Sequence, residues 1–328
     1  MQGAISRFEA YRRNLPKYRK HKELLEELFA EIRPDIAVAA GWHEGTFLYQ
    51  IKDGSKKIIE HHIWRNANFA LYSLYLKQMS HVTLLRRVKS GLLTLWNRWL
   101  TYKQGRYDRQ FDRLVVLTEE DKTYCSHCPT ASVIPNPITV SSDVYSTNRE
   151  KIILGVGHLD NQKNFPELLQ IWSRVAPDFP EWQLHLYGSG WMLDGLKRQA
   201  KELGIATQVS FEGAVSDMET AYASSSVYLM TSHYEGLPMV LLEAQSVGLP
   251  AVSYMCPSGP CDIITDGKDG FLVPLYDQET FAERLRTLMC DEELRRNMGQ
   301  AAEVASHRYD LDIIMPQWLS LFNELSAS

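Results

Sequence analysis

The sequence predicts an α/β protein built from two Rossmann-like domains, the first of them incomplete. Three observations carry this. Apolar strand segments alternate with amphipathic helical segments through the second half. Glycines cluster where those strands end. The 328 residues, 45% hydrophobic and 23% charged, have a globular composition, and this length suits about two domains. The boundaries read as 1–145 for the first domain, 146–310 for the second, and 311–328 for a terminal helix.

In the second half the strand candidates are Lys151–Val156, Trp182–Tyr187, Val209–Phe211, Val227–Thr231, Pro250–Tyr254 and Gly270–Val273. Helical spacing marks Phe165–Val175, Met192–Leu203 and Asp217–Ala223 between them. Such alternation gives a parallel sheet covered on both faces, with ligands at the carboxyl ends of its strands. The first half offers Ile36–Ala40, Lys57–His61, Leu114–Thr118 and Ser132–Ile134 as strands and a long helical stretch from Phe69 to Tyr107. Gln2 to Arg33 reads as helix, Ser141–Glu150 as linker, and Leu311–Leu325 as a terminal helix through Ile314, Trp318, Leu321, Phe322 and Leu325.

The strongest local signal is Glu235-Gly236-Leu237-Pro238-Met239-Val240-Leu241-Leu242-Glu243. Pro238 suits a helix start and Gly248 its end. The first-turn amides, about Met239 to Leu241, then face the strand ends as a diphosphate site, flanked by two carboxylates able to accept from sugar and ribose hydroxyls.

With Gly155-Val156-Gly157-His158-Leu159, Gln162-Lys163-Asn164, Leu186-Tyr187-Gly188-Ser189-Gly190, Phe211-Glu212-Gly213, and Gly259-Pro260 followed by Asp266-Gly267 and Gly270, this segment resembles the family 4 retaining glycosyltransferases of GT-B fold. The resemblance implies transfer of a sugar from a nucleoside diphosphate donor, a UDP-sugar or GDP-sugar, to a glycan or lipid-linked acceptor in surface polysaccharide synthesis. It implies that Lys163 meets the diphosphate, Glu235 the transferred sugar, and Glu243 the ribose. Gly213 would lie near the base, and Gly157, Gly188, Gly190, Gly236, Leu237, Pro238, Met239 and Val240 would line the donor site. His158 stands where the family usually has arginine, which exchanges a permanent fork of donors for a titrating ring. A histidine at a strand end of the first domain would lie between donor and acceptor, with His61 the first choice and His62 the reserve. No cofactor or metal is expected. The other readings are a non-catalytic nucleotide-sugar binding relative and a sugar-nucleotide epimerase.

Other signals are weighed against plain structure. Gly155-Val156-Gly157 lacks the third glycine of a dinucleotide fingerprint, because residue 160 is Asp. Asp310-Leu311-Asp312 reads as a helix cap rather than a metal motif. Cys125-Ser126-His127-Cys128 has no second ligand pair for zinc. Five cysteines at irregular spacing fit reduced thiols in a cytoplasm. Residues 1–148 hold 22 Lys+Arg against 15 Asp+Glu, and the remainder 13 against 25. Within the basic half, Arg86, Arg87, Lys89, Arg98, Lys103 and Arg106 share a stretch without acids, interleaved with Leu92, Leu93, Trp96, Trp99 and Leu100. That pattern suits peripheral contact with an anionic membrane on its cytoplasmic face. No nucleic-acid partner is expected. The opening lacks a buried strand and glycine-rich loop, so the chain reads as N-terminally shortened, or its start codon as misassigned, with Ile36–Ala40 left as an unpaired apolar edge.

Overall fold

In the first half, helix α1 (Arg7–Ile32) leads into strand β1 (Ile36–Ala40), followed by β2 (Lys56–His61), α2 (Leu84–Asp108), β3 (Arg113–Val116), α3 (Glu119–Tyr124) and β4 (Ala131–Val133). The computed structural model describes residues 7–40, 47–62, 84–125, 128, 130–139 and 149–327. The predicted linker lies outside them over residues 141–148, as do residues 69–83 of the long predicted helix.

The four strands form a parallel sheet in the order β1-β2-β3-β4. Ala37, Ala39, Ile59, Leu114 and Val116 pack on one face with Phe29 of α1. Ile58 and Val115 pack on the other with Ile314, Leu321 and Leu325 from the end of the chain. Burial on both faces is why Ile58-Ile59 of β2 and Leu114-Val115-Val116 of β3 are consecutive apolar residues rather than an alternation. Strand β1 pairs only with β2 among the described residues, and its Val38 is 43% exposed. The two-sided apolar pattern of β1 therefore belongs to an edge strand rather than to mid-sheet.

The second half runs β5 (Ile152–Val156), α4 (Phe165–Val175), β6 (Gln183–Tyr187), α5 (Leu193–Glu202), β7 (Val209–Gly213), α6 (Glu219–Ser224), β8 (Val227–Met230), α7 (Met239–Ser246), β9 (Ala251–Tyr254), α8 (Pro260–Ile263) and β10 (Gly270–Val273). Two helices absent from the sequence reading follow, α9 (Gln278–Cys290) and α10 (Glu292–Ser306), before the terminal α11 (Leu311–Ser326). Each is started by an aspartate side chain: Asp277 accepts the Thr280 amide and Asp291 the Leu294 amide.

This sheet is wholly parallel in the order β10-β9-β8-β5-β6-β7. The chain builds outward from β5 to β7, then returns to lay β8 on the other side of β5. Ile153, Leu184, Val227, Leu229, Val252 and Tyr254 face α4 and α9 around Trp172 and Phe281. Leu154, Tyr228, Met230 and Ala251 face α7 around Leu241 and Leu242. Helix α11 lays Ile314, Trp318, Leu321, Phe322 and Leu325 on the first sheet. Asp310 stands at its N-cap position, but the Asp310 carboxylate meets His307 Nδ1 at 2.8 Å instead of a free helix amide.

Helix α10 crosses the end of α7 where Gly299 meets Gly248, and a Cβ on Gly299 would lie 2.2 Å from the Gly248 carbonyl oxygen. That carbonyl is backbone and cannot swing aside. Gly299→Ala is therefore expected to destabilise the chain by about 1–3 kcal/mol, as overpacking does. A urea midpoint equal to wild type would show that the helices do not meet this closely.

Candidate functional site

The reversal at β5 makes β5 and β8 the point where neighbouring connections leave in opposite directions, opening a crevice at their carboxyl ends. The loop after β5 carries Gly157 to Asn164, and the loop after β8 carries Thr231 to Pro238. The first is shaped by Asp160, whose Oδ1 accepts the Gln162 amide at 2.9 Å. Asn164 then turns through a left-handed φ of 54° to start α4. The loops are stapled together: the His233 amide donates to the Gln162 carbonyl at 2.8 Å, and Thr231 Oγ1 to the Lys163 carbonyl at 3.2 Å.

Within this frame Lys163 Nζ donates to Glu235 Oε1 at 2.7 Å. Gln162 Nε2 reaches Glu235 Oε2 at 3.3 Å and the Tyr234 carbonyl at 3.2 Å. Both carboxylate oxygens thus have partners, as a buried charge requires, since Glu235 is only 5% exposed. A Cβ on Gly157 would lie 2.9 Å from Lys163 Cγ, so glycine there lets the lysine stem lie across the loop.

Pro238 is the N-cap of α7, one position earlier than a first-turn proline. Its carbonyl accepts the Leu241 amide at 2.9 Å and the Leu242 amide at 3.3 Å. Leu241 is therefore committed to the helix, contrary to the sequence expectation, which leaves Met239 and Val240 as the donors without partners among the described residues. These two amides stand at the positive end of the helix dipole. Glu243 lies one turn on, where Tyr222 OH donates to its Oε2 at 2.8 Å. Burial first, then the Glu243 charge, pushes the Tyr222 hydroxyl well above its ordinary range, so it remains a proton donor. Gly248, at φ 71°, follows the end of this helix. Gly236 presents its carbonyl to Ser258 Oγ at 2.8 Å, and Leu237 packs into the core beneath α7.

Beside the crevice is a cavity of about 260 Å³ lined by Val156, Gly157, His158, Tyr187, Gly188, Ser189, Ala214, Val215 and Met218. Gly188 in its lining and Gly190 beside it are needed for backbone contact. A Cβ on Gly188 would lie 1.9 Å from the Gly157 carbonyl oxygen, and one on Gly190 would lie 2.4 Å from that of Leu159. Gly213 has open space around it and is used for its φ of 76°. His158 turns Nδ1 toward the Ser189 carbonyl at 3.3 Å.

The two candidate histidines of the first domain diverge, as successive residues at a strand end do. His61 is turned inward, its Nε2 3.5 Å from Oδ1 of fully buried Asp108. His62 is the more exposed, with Nε2 3.2 Å from Glu60 Oε2 and Nδ1 3.5 Å from Asn136 Nδ2. The Glu60 hydrogen bond raises the His62 pKa above its ordinary value. Cys125 and Cys128 are buried; Ser126 and His127 lie outside the described residues, among which no group of three metal-ligating side chains forms. Gln162 enters the sequence reading only as a neighbour of Lys163 in its motif, and neither it nor Tyr222 or Asn136 is read there as a partner of a site residue.

A doubly wound parallel sheet with such a crevice, joined to a second parallel-sheet domain and clasped by the terminal helix, is the GT-B architecture. S. aureus TarM, solved as a mutant with fondaparinux, alpha-GlcNAc-glycerol and UDP, superimposes with a TM-score of 0.73 over 92% of this chain and 59% of its own, at 18% identity. Residues 141–304, half of the chain, match the family "Glycosyl transferases group 1", and the chain belongs to that family. Among curated relatives, exopolysaccharide phosphotransferase SCO2592 of Streptomyces coelicolor is 36% identical over 65% of this chain and 23% of its own length. Amylovoran biosynthesis glycosyltransferase AmsD of Erwinia amylovora is 34% identical over 65% of this chain and 62% of its own. The chain thus spans less than two thirds of the length of these relatives.

A raised folded-state pKa contributes stability that is complete below the unfolded value and is lost as pH rises through the folded one. Glu60→Gln is expected to return the His62 midpoint toward about 6.5 and to cost more stability at low than at high pH. Proton NMR titration of His62 reads the midpoint, and an unmoved midpoint would refute the pairing.

Proposed function

We propose that this chain is a retaining glycosyltransferase that moves a sugar from a nucleoside diphosphate donor to a glycan or lipid-linked acceptor in surface polysaccharide synthesis, with UDP the preferred carrier. The observation that carries this is the Lys163–Glu235 pair set beside the free amides of Met239 and Val240 at the sheet reversal. A relative named for amylovoran biosynthesis and a similar structure holding UDP support it.

Breaking the bond between sugar and phosphate leaves negative charge on the diphosphate. Lys163 and the two amides supply a fixed positive field where that charge develops, so the reading needs no metal ion. Glu235 accepts hydrogen bonds from hydroxyls of the transferred sugar. Glu243, with one oxygen held by Tyr222, takes the ribose. The cavity bounded by Gly157, His158 and Gly188, close to Gly213, takes the base. Retention follows front-face attack, in which the departing phosphate oxygen accepts the acceptor proton. His61 or its exposed neighbour His62 stands on the acceptor side.

The acceptor side also meets the membrane in this reading. Helix α2 exposes Leu92, Leu95, Trp96, Trp99 and Leu100, and Lys103 Nζ lies 4.4 Å from the Trp99 ring centre. The side chains of Arg86, Arg87, Lys89 and Arg98 lie outside the described residues; with Lys103 and Arg106 they complete a basic stretch without acids. Such residues contribute about 1 kcal/mol each at an anionic surface. No helix among the described residues is long and apolar enough to cross a membrane.

Calorimetry of UDP-sugars and GDP-sugars tests the donor site. Lys163→Ala is expected to weaken binding at least about tenfold, or about 1.4 kcal/mol. Glu235→Gln is expected to lower turnover far more than UDP affinity. Equal affinity in Lys163→Ala would overturn the diphosphate assignment. Binding without turnover would favour a non-catalytic relative, and donor conversion without acceptor an epimerase.

A further inference from the structure

The first domain reaches the donor loop through a buried polar seam. Thr118, two residues past β3, caps α3 by accepting the Asp121 amide at 3.0 Å. Across the seam stands Ser258, held at a φ of 65° that is unusual outside glycine, its amide donating to Glu120 Oε2 at 2.9 Å. The Ser258 side chain is surrounded by three oxygens: Asp121 Oδ2 at 2.8 Å, the Gly236 carbonyl at 2.8 Å, and Thr118 Oγ1 at 3.1 Å. Gly259, next in the chain, is pressed against Pro238, where a Cβ would lie 2.3 Å from Pro238 Cδ. The seam thus grips both ends of the turn that follows Glu235.

Counting protons decides its state. Ser258 has one hydroxyl proton and two acceptors at 2.8 Å. If Asp121 is ionised, either its Oδ2 or the Gly236 carbonyl faces Ser258 Oγ with no proton between them. If Asp121 is neutral, its O–H donates to Ser258 Oγ, Ser258 donates to Gly236, and Thr118 donates to the remaining lone pair of Ser258. All three contacts are then satisfied. Asp121 Oδ1, buried and without a hydrogen-bond partner among the described residues, agrees, because an orphaned carbonyl oxygen costs less than an orphaned carboxylate oxygen.

We infer that Asp121, across the domain boundary, is a positioning residue that holds the Gly236 turn and so aims Glu235, and that it does this as the neutral acid. The functional part rests on the donor reading of Glu235; the protonation does not. Burial pushes the Asp121 carboxyl up to about 6; the nearby Ser258 and Thr118 hydroxyls, which favour the ionised form, oppose this, and the charges of Glu120 and Asp262 add to it. The other groups facing the seam are Tyr124 on the same helix, Cys256, Cys261 on α8, and Arg308, which donates to the Asp262 and Ile263 carbonyls. With its folded pKa raised, the contact is complete at low pH and is lost as pH rises through about 6. By reciprocity, a donor that favours the ordered turn raises the proton affinity of Asp121.

Two measurements on the full chain test this. In a carbon-13 NMR titration of the aspartate carboxyls, Asp121 is expected to show a midpoint near 6. A midpoint near about 4, the ordinary value, overturns the neutral acid. Calorimetry then uses UDP-glucose, whose diphosphate does not titrate in this range, at about one pH unit below and above that midpoint. Wild-type affinity is expected to fall roughly fivefold at the higher pH. Asp121→Asn, whose amide donates at either pH, is expected to keep the tighter value at both. Equal pH dependence in the two proteins removes the positioning role. No binding of UDP-glucose at either pH strikes the donor reading and the positioning role with it, while the midpoint still decides the protonation.

Discussion

The reversal of strand order at β5 is the constraint on which the site depends. Because β6 and β8 flank β5 and their connections run to opposite sides, the loops after β5 and β8 must leave a crevice between them. Lys163 comes from one loop and Glu235 from the other, so their contact at 2.7 Å closes that crevice with a buried ion pair. Such a pair is costly unless every oxygen is satisfied. Lys163 and Gln162 each satisfy one Glu235 oxygen, and the stapling bonds from Thr231 and His233 to the Lys163 and Gln162 carbonyls hold the two loops at that spacing. The glycines complete it by letting the neighbouring loops touch backbone to backbone at Gly157 and Gly188.

Much of this was legible from local sequence. Helix α4 spans the predicted Phe165–Val175, and β1 and β10 the predicted Ile36–Ala40 and Gly270–Val273. Their patterns are local, set by apolar spacing and by the glycines and prolines that stop them. Strand ends moved by a residue or two where pairing sets them. β3, for example, begins at Arg113 because Ile58 lies opposite it in register. Helices α9 and α10 went unread although Phe281, Ala282, Leu285, Leu288 and Met289 carry a helical period, and Asp277 and Asp291 are ordinary caps.

The partners of the site residues were a different matter. Tyr222 lies 21 residues from Glu243, Gln162 lies 73 from Glu235, and Asp121 lies 137 from Ser258. Each pair meets only because of sheet order and domain docking, and no local pattern announces it. Alternation along β2 requires His61 and His62 to point apart, but which one turns inward depends on the layer beneath. Asp108, at the far end of α2, occupies that layer.

Helix α11 and the seam at Ser258 make one unit of the two sheets. The helix buries its apolar face on the first sheet, and the seam ties α3 to the turn beside Glu235. Docking of the first domain thereby reaches the turn that follows Glu235. The most direct test of the account is a crystal structure of the chain grown with UDP. It predicts the diphosphate within hydrogen-bond reach of Lys163 Nζ and the amides of Met239 and Val240, with the ribose at Glu243 and the base in the cavity beside Gly188. Nucleotide density elsewhere, with the Lys163–Glu235 crevice left to solvent, would contradict it.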